Sequence, residues 1–151
     1  LKATMLEPNL HIVEKDILKV NIEKEIADYF NDDHICIIAN LPYYITTPIM
    51  LKVLEEAPSI KSMVIMIQKE VADRFLGKPN TKDYNSLSVL IQTYMDVSKV
   101  IDVSKNSFYP APEVNSTVIK LNRKQKELFK ELAKTELDND SEFTKYNKKL
   151  K

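Results

Sequence analysis

An unbroken apolar run, residues 35–39 (ICIIA), leads directly into the tetrapeptide Asn40-Leu41-Pro42-Tyr43. A strand that is buried in a parallel sheet has a run of this kind, because both of its faces are covered. In open α/β sheets, ligands bind beyond the carboxyl ends of the strands. The sequence therefore predicts an α/β sheet with the tetrapeptide at its ligand-binding edge.

Strand-like and helix-like segments alternate along most of the chain. We expect strands at 11–16, 34–39, 62–67, 97–103 and 117–121, and helices at 22–30, 47–56, 69–76 and 86–94. This alternation is typical of a mostly parallel sheet with helices on both faces. The last two strands have no helix between them, so we expect that pair to be antiparallel. Gly77 is expected to cap the helix that precedes it.

Composition limits the classes of protein that fit. The 151 residues provide room for one domain with a core, and 22 basic residues balance 22 acidic ones, which argues mildly against a nucleic-acid partner. Lysines are concentrated at 123–151 together with acidic residues, and a solvated helix with i,i+4 charge pairs explains them better than an RNA-binding stripe. Arg74, Lys78 and Lys82 are further candidates for contacts with phosphates.

Location and metal content follow from the same composition. Cys36, the single cysteine, lies in the apolar run and is expected to be a small core residue. No segment has the length of a membrane span or the pattern of a signal peptide, so we expect a cytoplasmic protein with no membrane partner. His11 and His34 are far apart, and no spacing of cysteine and histidine fits zinc, so we expect no metal.

The tetrapeptide offers a specific chemistry. The side-chain oxygen of Asn40 and the backbone carbonyl of Leu41, which Pro42 holds outward, are two hydrogen-bond acceptors beside the ring of Tyr43. Two acceptors next to an aromatic face suit a planar base that has an exocyclic amine. On its own, the tetrapeptide is equally typical of an ordinary turn.

Four segments together resemble the KsgA-type small-subunit ribosomal RNA adenine-N6 dimethyltransferases. The segments are 40–48 (NLPYYITTP), 68–77 (QKEVADRFLG), 78–88 (KPNTKDYNSLS) and 108–116 (FYPAPEVNS). Their order and spacing are far more specific than one short motif. The resemblance covers most of residues 12–121.

The resemblance implies a fold. It is the Rossmann-like, seven-stranded α/β sheet of class I methyltransferases, here lacking its amino-terminal strands and the Gly-rich loop that binds S-adenosylmethionine. Gly77 is the only glycine, so no such loop can be assigned to these residues. We expect residues 1–122 to be part of the catalytic domain. Residues 123–151 are expected to be helical, as a remnant of the family's small carboxyl-terminal domain. We expect residues 1–151 alone to be inactive.

The resemblance also assigns roles within the tetrapeptide. Asn40, Leu41, Pro42 and Tyr43 match the family's catalytic motif. Tyr43 would stack on the target adenine, and Phe108 matches the family's second aromatic residue. The target base could therefore lie between the rings of Tyr43 and Phe108.

For S-adenosylmethionine, the resemblance implies contacts from Asp16, Ile17 and Asn40. Asp16 matches the acidic residue that accepts a hydrogen bond from the amine of the cofactor's adenine. Lys15 stands where glycine is common in the family, which is a departure from the motif. A carboxylate that caps a turn therefore stays open as the alternative for Asp16.

The implied activity is N6,N6-dimethylation of two adjacent adenines near the 3′ end of small-subunit (16S) ribosomal RNA, with a role in ribosome biogenesis. The implied partner is that RNA within an assembling 30S particle, and we expect a monomer. Two alternatives remain open. One is the related resistance enzyme that methylates large-subunit (23S) RNA, and the other is a non-catalytic assembly or transcription factor with the same fold.

Overall fold

The structure, a computed structural model, describes residues 8–31 and 34–124. The helices are α1 (Ile22–Tyr29), α2 (Thr46–Glu56), α3 (Lys69–Leu76) and α4 (Ser86–Tyr94), and the strands are β1 (Ile35–Asn40), β2 (Ile60–Gln68), β3 (Met95–Val103) and β4 (Ser116–Arg123). Short 3-10 turns occupy Tyr43–Ile45 and Lys105–Ser107. Eight of the nine expected elements are confirmed in type. Apart from residues 123 and 124, the expected helical segment 123–151 lies outside the described residues.

The four strands form one sheet in the order β1-β2-β4-β3. β1 is parallel to β2, whereas β4 is antiparallel to both β2 and β3. The expected antiparallel pairing of the last two strands is therefore confirmed. The expectation of mostly parallel neighbours does not hold for these four strands. The connection between β3 and β4 contains no α-helix, and a parallel pair would need a long crossover.

The predicted strand at 11–16 is absent, and this expectation was wrong. Residues 8–21 have no regular secondary structure and include turns at 8–9 and 17–19, where the Lys19 amide donates to the Asp16 carbonyl at 2.9 Å. A strand requires a neighbouring strand for its backbone hydrogen bonds, and this segment has none among the described residues. It lies instead against α1, where the rings of His11 and Tyr29 have centroids 4.8 Å apart.

The core lies on one face of the sheet. Met63 and Ile65 of β2 and Ile119 and Leu121 of β4 are fully buried. Residues from three helices join the same core, namely Met50, Val53 and Leu54 of α2, Ala72 and Phe75 of α3, and Ile91 of α4. Periodic apolar positions on the helices and alternate positions on the strands therefore supply the main stabilising term, the removal of apolar surface from water.

The opposite face of β1 is open. Cys36 is exposed, and Ile38 keeps 82% of its surface accessible. The expectation that Cys36 is a core residue was wrong. The reason is that β1 is the edge strand of the described sheet, and within residues 8–31 and 34–124 no element covers this face.

Arg123, at the end of β4, holds the end of α2 against the sheet. Its guanidinium donates to the carbonyls of Ile60 at 2.8 Å, Ala57 at 3.1 Å, Val53 at 3.2 Å and Leu54 at 3.3 Å. Burial lowers the pKa of Arg123, but an arginine stays charged in a protein. Its positive charge therefore lies at the negative end of the helix dipole, where it hydrogen-bonds carbonyls at the end of α2.

Gly77 caps α3 as expected, although for a different reason from the usual one. Its φ of −52° is open to any residue, so no left-handed conformation requires glycine here. A Cβ at this position would lie 2.8 Å from the Asp83 carbonyl oxygen and 3.0 Å from the Ser88 hydroxyl oxygen. Close approach of the 78–85 loop, and not backbone strain, is what selects glycine.

We expect Gly77→Ala to lower the free energy of unfolding by about 1–2 kcal/mol. Overpacking costs about 1–3 kcal/mol. Alanine also has less conformational freedom than glycine in the unfolded chain, but this stabilises the fold by only about 0.4–1 kcal/mol. Urea denaturation measures the difference, with Lys78→Ala as the control because Lys78 is the exposed next residue. A variant that is as stable as the parent would show that the loop moves away without cost.

Asp102 makes the stability of the β3–β4 pair depend on pH. Hydrogen bonds from Lys99 at 2.9 Å and from the Thr117 hydroxyl at 2.8 Å hold the pKa of the Asp102 carboxyl below its ordinary value. A lowered pKa stabilises the fold above the ordinary pKa of the group, and this stabilisation is lost as the pH falls through the lowered value.

We therefore expect the stability difference between the parent and Asp102→Asn to be present at neutral pH and to vanish in acid. Melting temperatures from pH 7 to pH 2 measure it. Lys99→Met removes the cation that hydrogen-bonds the same carboxylate, so it is expected to show the same dependence with a smaller amplitude. A difference that is constant across this range would contradict the assignment.

Candidate active site

A cavity of about 440 Å³ lies beyond the carboxyl ends of β1 and β2. It is lined by Asn40, Leu41, Pro42, Tyr43, Met66, Phe108, Tyr109, Pro110 and Pro112. Its size is within the range of small-molecule sites. The structure thus brings together the whole tetrapeptide and Phe108, which are 65 residues or more apart in sequence.

Two acceptors at this edge are free. Asn40 ends β1 and pairs with Met66, and the Leu41 amide donates to the Met66 carbonyl at 3.3 Å. The Leu41 side chain is 9% exposed and belongs to the core, which fixes the backbone here. Within the described residues, neither the Asn40 side chain nor the Leu41 carbonyl makes a hydrogen bond, so both oxygens can accept from a ligand.

The turn after these acceptors is held from α2. The Pro42 carbonyl accepts from the Thr46 hydroxyl at 3.0 Å and from the Ile45 amide at 3.3 Å. Thr46 is 2% exposed and therefore shapes the loop from inside. Tyr44, by contrast, is 86% exposed and does not line the cavity.

Tyr43 has a hydrogen bond that the sequence did not suggest. Its Oη and the Oγ of Ser116 are 2.6 Å apart, and Ser116 is fully buried at the start of β4. Ser116 was not among the predicted site residues. The only available signal was its place as the last residue of the matched segment 108–116.

Phe108 lies near the start of a loop, residues 105–115, whose two ends are held by hydrogen bonds. Its amide donates to the Lys105 carbonyl at 3.3 Å, and the Lys105 amide donates to the side-chain oxygen of Asn115 at 2.9 Å. The Asn115 carbonyl in turn accepts from the Lys69 amide at 2.9 Å. Phe108 is partly buried, whereas its neighbour Tyr109 is fully exposed. Hydrogen bonds of the loop therefore hold this aromatic wall of the cavity.

Asp16 and Ile17 are not part of this cavity. Ile17 lines a second cavity of about 350 Å³ between residues 9 and 30, and Asp16 lines neither. One oxygen of the Asp16 carboxylate accepts from the Leu18 amide at 3.0 Å, which is the turn-capping arrangement that the sequence left open. Half of that side chain is exposed, so further hydrogen bonds to it are sterically possible.

The candidate phosphate-binding residues are only partly brought together. Arg74 and Lys82 line a cleft of about 660 Å³, whereas Lys78 does not. The cleft contains as many acidic as basic side chains, and Arg74 pairs with Glu70 at 3.3 Å. A mixed cleft of this kind does not favour an anion strongly.

Metal and membrane features can be stated for the described part of the chain. It contains no group of three or more histidine, cysteine, aspartate or glutamate residues that could hold a metal ion. None of its helices is both long enough and apolar enough to cross a bilayer.

Comparison with known proteins identifies the family. Residues 1–139 match the family "Ribosomal RNA adenine dimethylase". The chain belongs to this family. Ribosomal RNA small subunit methyltransferase A of Anoxybacillus flavithermus is 46% identical over 126 residues, which cover 82% of this chain and 43% of that protein. The protein of the same name from Clostridioides difficile is 46% identical over 127 residues, covering 83% and 44%. The chain thus spans less than half the length of these relatives.

Solved structures show the same fold. A dimethyladenosine transferase from Plasmodium falciparum has a TM-score of 0.59 and 34% identity, covering 62% of this chain and 34% of that chain. The 23S rRNA methyltransferase ErmE has a TM-score of 0.62 and 25% identity, covering 78% and 43%. The Rossmann-like α/β fold expected of the family is therefore confirmed. As methyltransferases in general do, the family uses S-adenosylmethionine as methyl donor.

Proposed function

We propose that these residues are part of an enzyme that dimethylates N6 of two adjacent adenines near the 3′ end of small-subunit ribosomal RNA. The observation that carries the proposal is the pair of free acceptors, Asn40 Oδ1 and the Leu41 carbonyl, in one cavity with Tyr43 and Phe108. The relatives named ribosomal RNA small subunit methyltransferase A support this choice of RNA.

The two acceptors would activate the amine. The lone pair of adenine N6 is delocalised into the ring, so the nitrogen is a poor nucleophile. Hydrogen bonds from its two hydrogens to Asn40 and Leu41 would favour a pyramidal nitrogen whose lone pair points away from the ring. Such preorganised groups act through positioning and electrostatics. No strong base is required, because the proton becomes acidic once the nitrogen carries positive charge.

The aromatic residues would hold the base outside its stack. Enzymes that modify a base act on an unstacked nucleotide, and stacking on side chains offsets the lost neighbours. Tyr43 and Phe108 line the same cavity and could enclose an adenine between them. After the first methyl transfer only one amine hydrogen remains, so the cavity must also accept a methyl group beside Asn40 or Leu41.

For the cofactor, the described residues fit in part. S-adenosylmethionine supplies an electrophilic methyl group when bound. Asp16 would accept a hydrogen bond from the amine of the cofactor's adenine through a carboxylate lone pair that the Leu18 amide does not use. Ile17 would contact the apolar part of the cofactor. Asn40, at the end of β1, would contact both the cofactor and the target base.

The biological setting of the enzyme is also part of the proposal. We infer an assembling 30S particle as the substrate, a cytoplasmic location and a monomeric enzyme. The similarity to the 23S rRNA methyltransferase ErmE makes large-subunit RNA the alternative substrate. Incubating the intact gene product with unmethylated subunits of both kinds and a radiolabelled methyl donor separates the two, and no labelling of either would favour a non-catalytic assembly factor.

We expect Asn40→Ala to lower kcat/KM by about 10²–10³-fold, because one preorganised hydrogen-bonding group contributes about 3–4 kcal/mol to the transition state. Methyl transfer to small subunits by the intact gene product measures it. Asn106→Ala serves as the control, since Asn106 is exposed and does not line the cavity. Unchanged turnover in Asn40→Ala would remove Asn40 from the proposed mechanism and with it the proposed function.

We expect Tyr43→Ala to weaken capture of the RNA by about 1–3 kcal/mol, the usual contribution of one base stacked on an aromatic ring. The KM for small subunits measures this loss. Tyr44→Ala is the matched control, because Tyr44 is the adjacent tyrosine and lies outside the cavity. Equal effects of the two substitutions would contradict a stacking role that is specific to Tyr43.

A further inference from the structure

We propose that Ser116 is a positioning residue, which holds the Tyr43 ring where it can stack on the target base. This inference rests on the proposed function and adds a residue to it. Its basis is the hydrogen bond between Tyr43 Oη and Ser116 Oγ, 2.6 Å long, which joins two segments 73 residues apart. Ser116 would not touch the RNA, because its side chain is fully buried.

The hydrogen bond fixes the direction of the ring. Tyr43 begins a short 3-10 turn between β1 and α2, and no helix or strand ladder holds its side chain. The hydroxyl lies at the far end of the ring from the backbone, so holding it fixes the long axis of the ring. A ring that is already oriented loses less conformational freedom when a base stacks on it.

Ser116 is a rigid point of attachment. It pairs with Gln68 of β2 on one side and with Val103 of β3 on the other, so its backbone lies between two strands of the sheet. Its hydroxyl is buried and has Tyr43 as its only hydrogen-bond partner within residues 8–31 and 34–124. In this low-dielectric setting the hydrogen bond is stronger than on the surface, and loss of either partner leaves the other hydroxyl without one.

The same residue also links the two aromatic walls of the cavity. Ser116 directly follows the loop that begins at Phe108, and the Asn115 carbonyl is held by the Lys69 amide at 2.9 Å. The same few residues at the start of β4 therefore support both Phe108 and the Tyr43 hydroxyl. The spacing between the two rings, and so the width available to a purine, depends on this junction.

The experiment compares Ser116→Ala, Tyr43→Phe and the double variant in the intact gene product. Tyr43→Phe and Ser116→Ala each remove one hydroxyl and with it the hydrogen bond, but both keep the stacking ring. The measurements are kcat and KM for methyl transfer to unmethylated small subunits. We expect KM to rise about fivefold in each single variant, the usual contribution of one hydrogen bond, with kcat changed less than twofold. The double variant is expected to be no worse than the worse single variant.

Thr117→Val is the matched control. Thr117 is the next residue of β4, is equally buried, and gives its hydroxyl to Asp102 instead of to the cavity. A purely structural role for hydroxyls at the start of β4 would make all the variants lower the melting temperature without raising KM. We expect Thr117→Val to leave KM unchanged.

The outcomes separate this inference from the proposed function. If Asn40→Ala abolishes methyl transfer while Ser116→Ala and Tyr43→Phe keep the parental KM, the role of Ser116 is overturned and the function stands. A rise in KM of the same size in Thr117→Val also overturns it. If Ser116→Ala does not fold, Tyr43→Phe decides alone, because it leaves β4 unchanged.

Discussion

The antiparallel pairing of β4 with β2 is the constraint on which the site depends. This ladder runs from Ser62 opposite Asn122 to Gln68 opposite Ser116. Because β4 enters the sheet where β2 leaves it, the loop before β4 must lie at the carboxyl edge of β1 and β2. The register of this ladder therefore brings residues that are distant in sequence to one cavity. A slip of one residue in this register would turn Ser116 to the other face of the sheet.

The distribution of hydrogen bonds at this edge distinguishes scaffold from site. The carbonyl of Pro42 is used by the helix that follows, and the amide of Leu41 is used by β2. The carbonyl of Leu41 and the side-chain amide of Asn40 are left without partners among the described residues. The local backbone is thus fully held at the positions beside the two free acceptors. Such an arrangement keeps the acceptors in place without reorganisation when a ligand arrives.

Most of the fold could be predicted because the decisive signals are local. Apolar periodicity located the four helices and four strands, and the residues of α3 and α4 were found without error. The failures were non-local. The segment 11–16 has strand-like residues but no partner, and Cys36 lies on a face of β1 that no described element covers. The tetrapeptide and Phe108 were found through motif order. Ser116 was missed because its significance comes from a contact across 73 residues.

The open face of β1 has a practical consequence for anyone producing these residues alone. Ile38 presents 82% of its surface on an edge strand whose outer backbone groups lack a described neighbour. Exposed apolar edge strands of this kind promote edge-to-edge aggregation. A lysine in place of Ile38 would place a charge on that strand without touching the cavity, and would make these residues easier to keep in solution for spectroscopy or crystallisation.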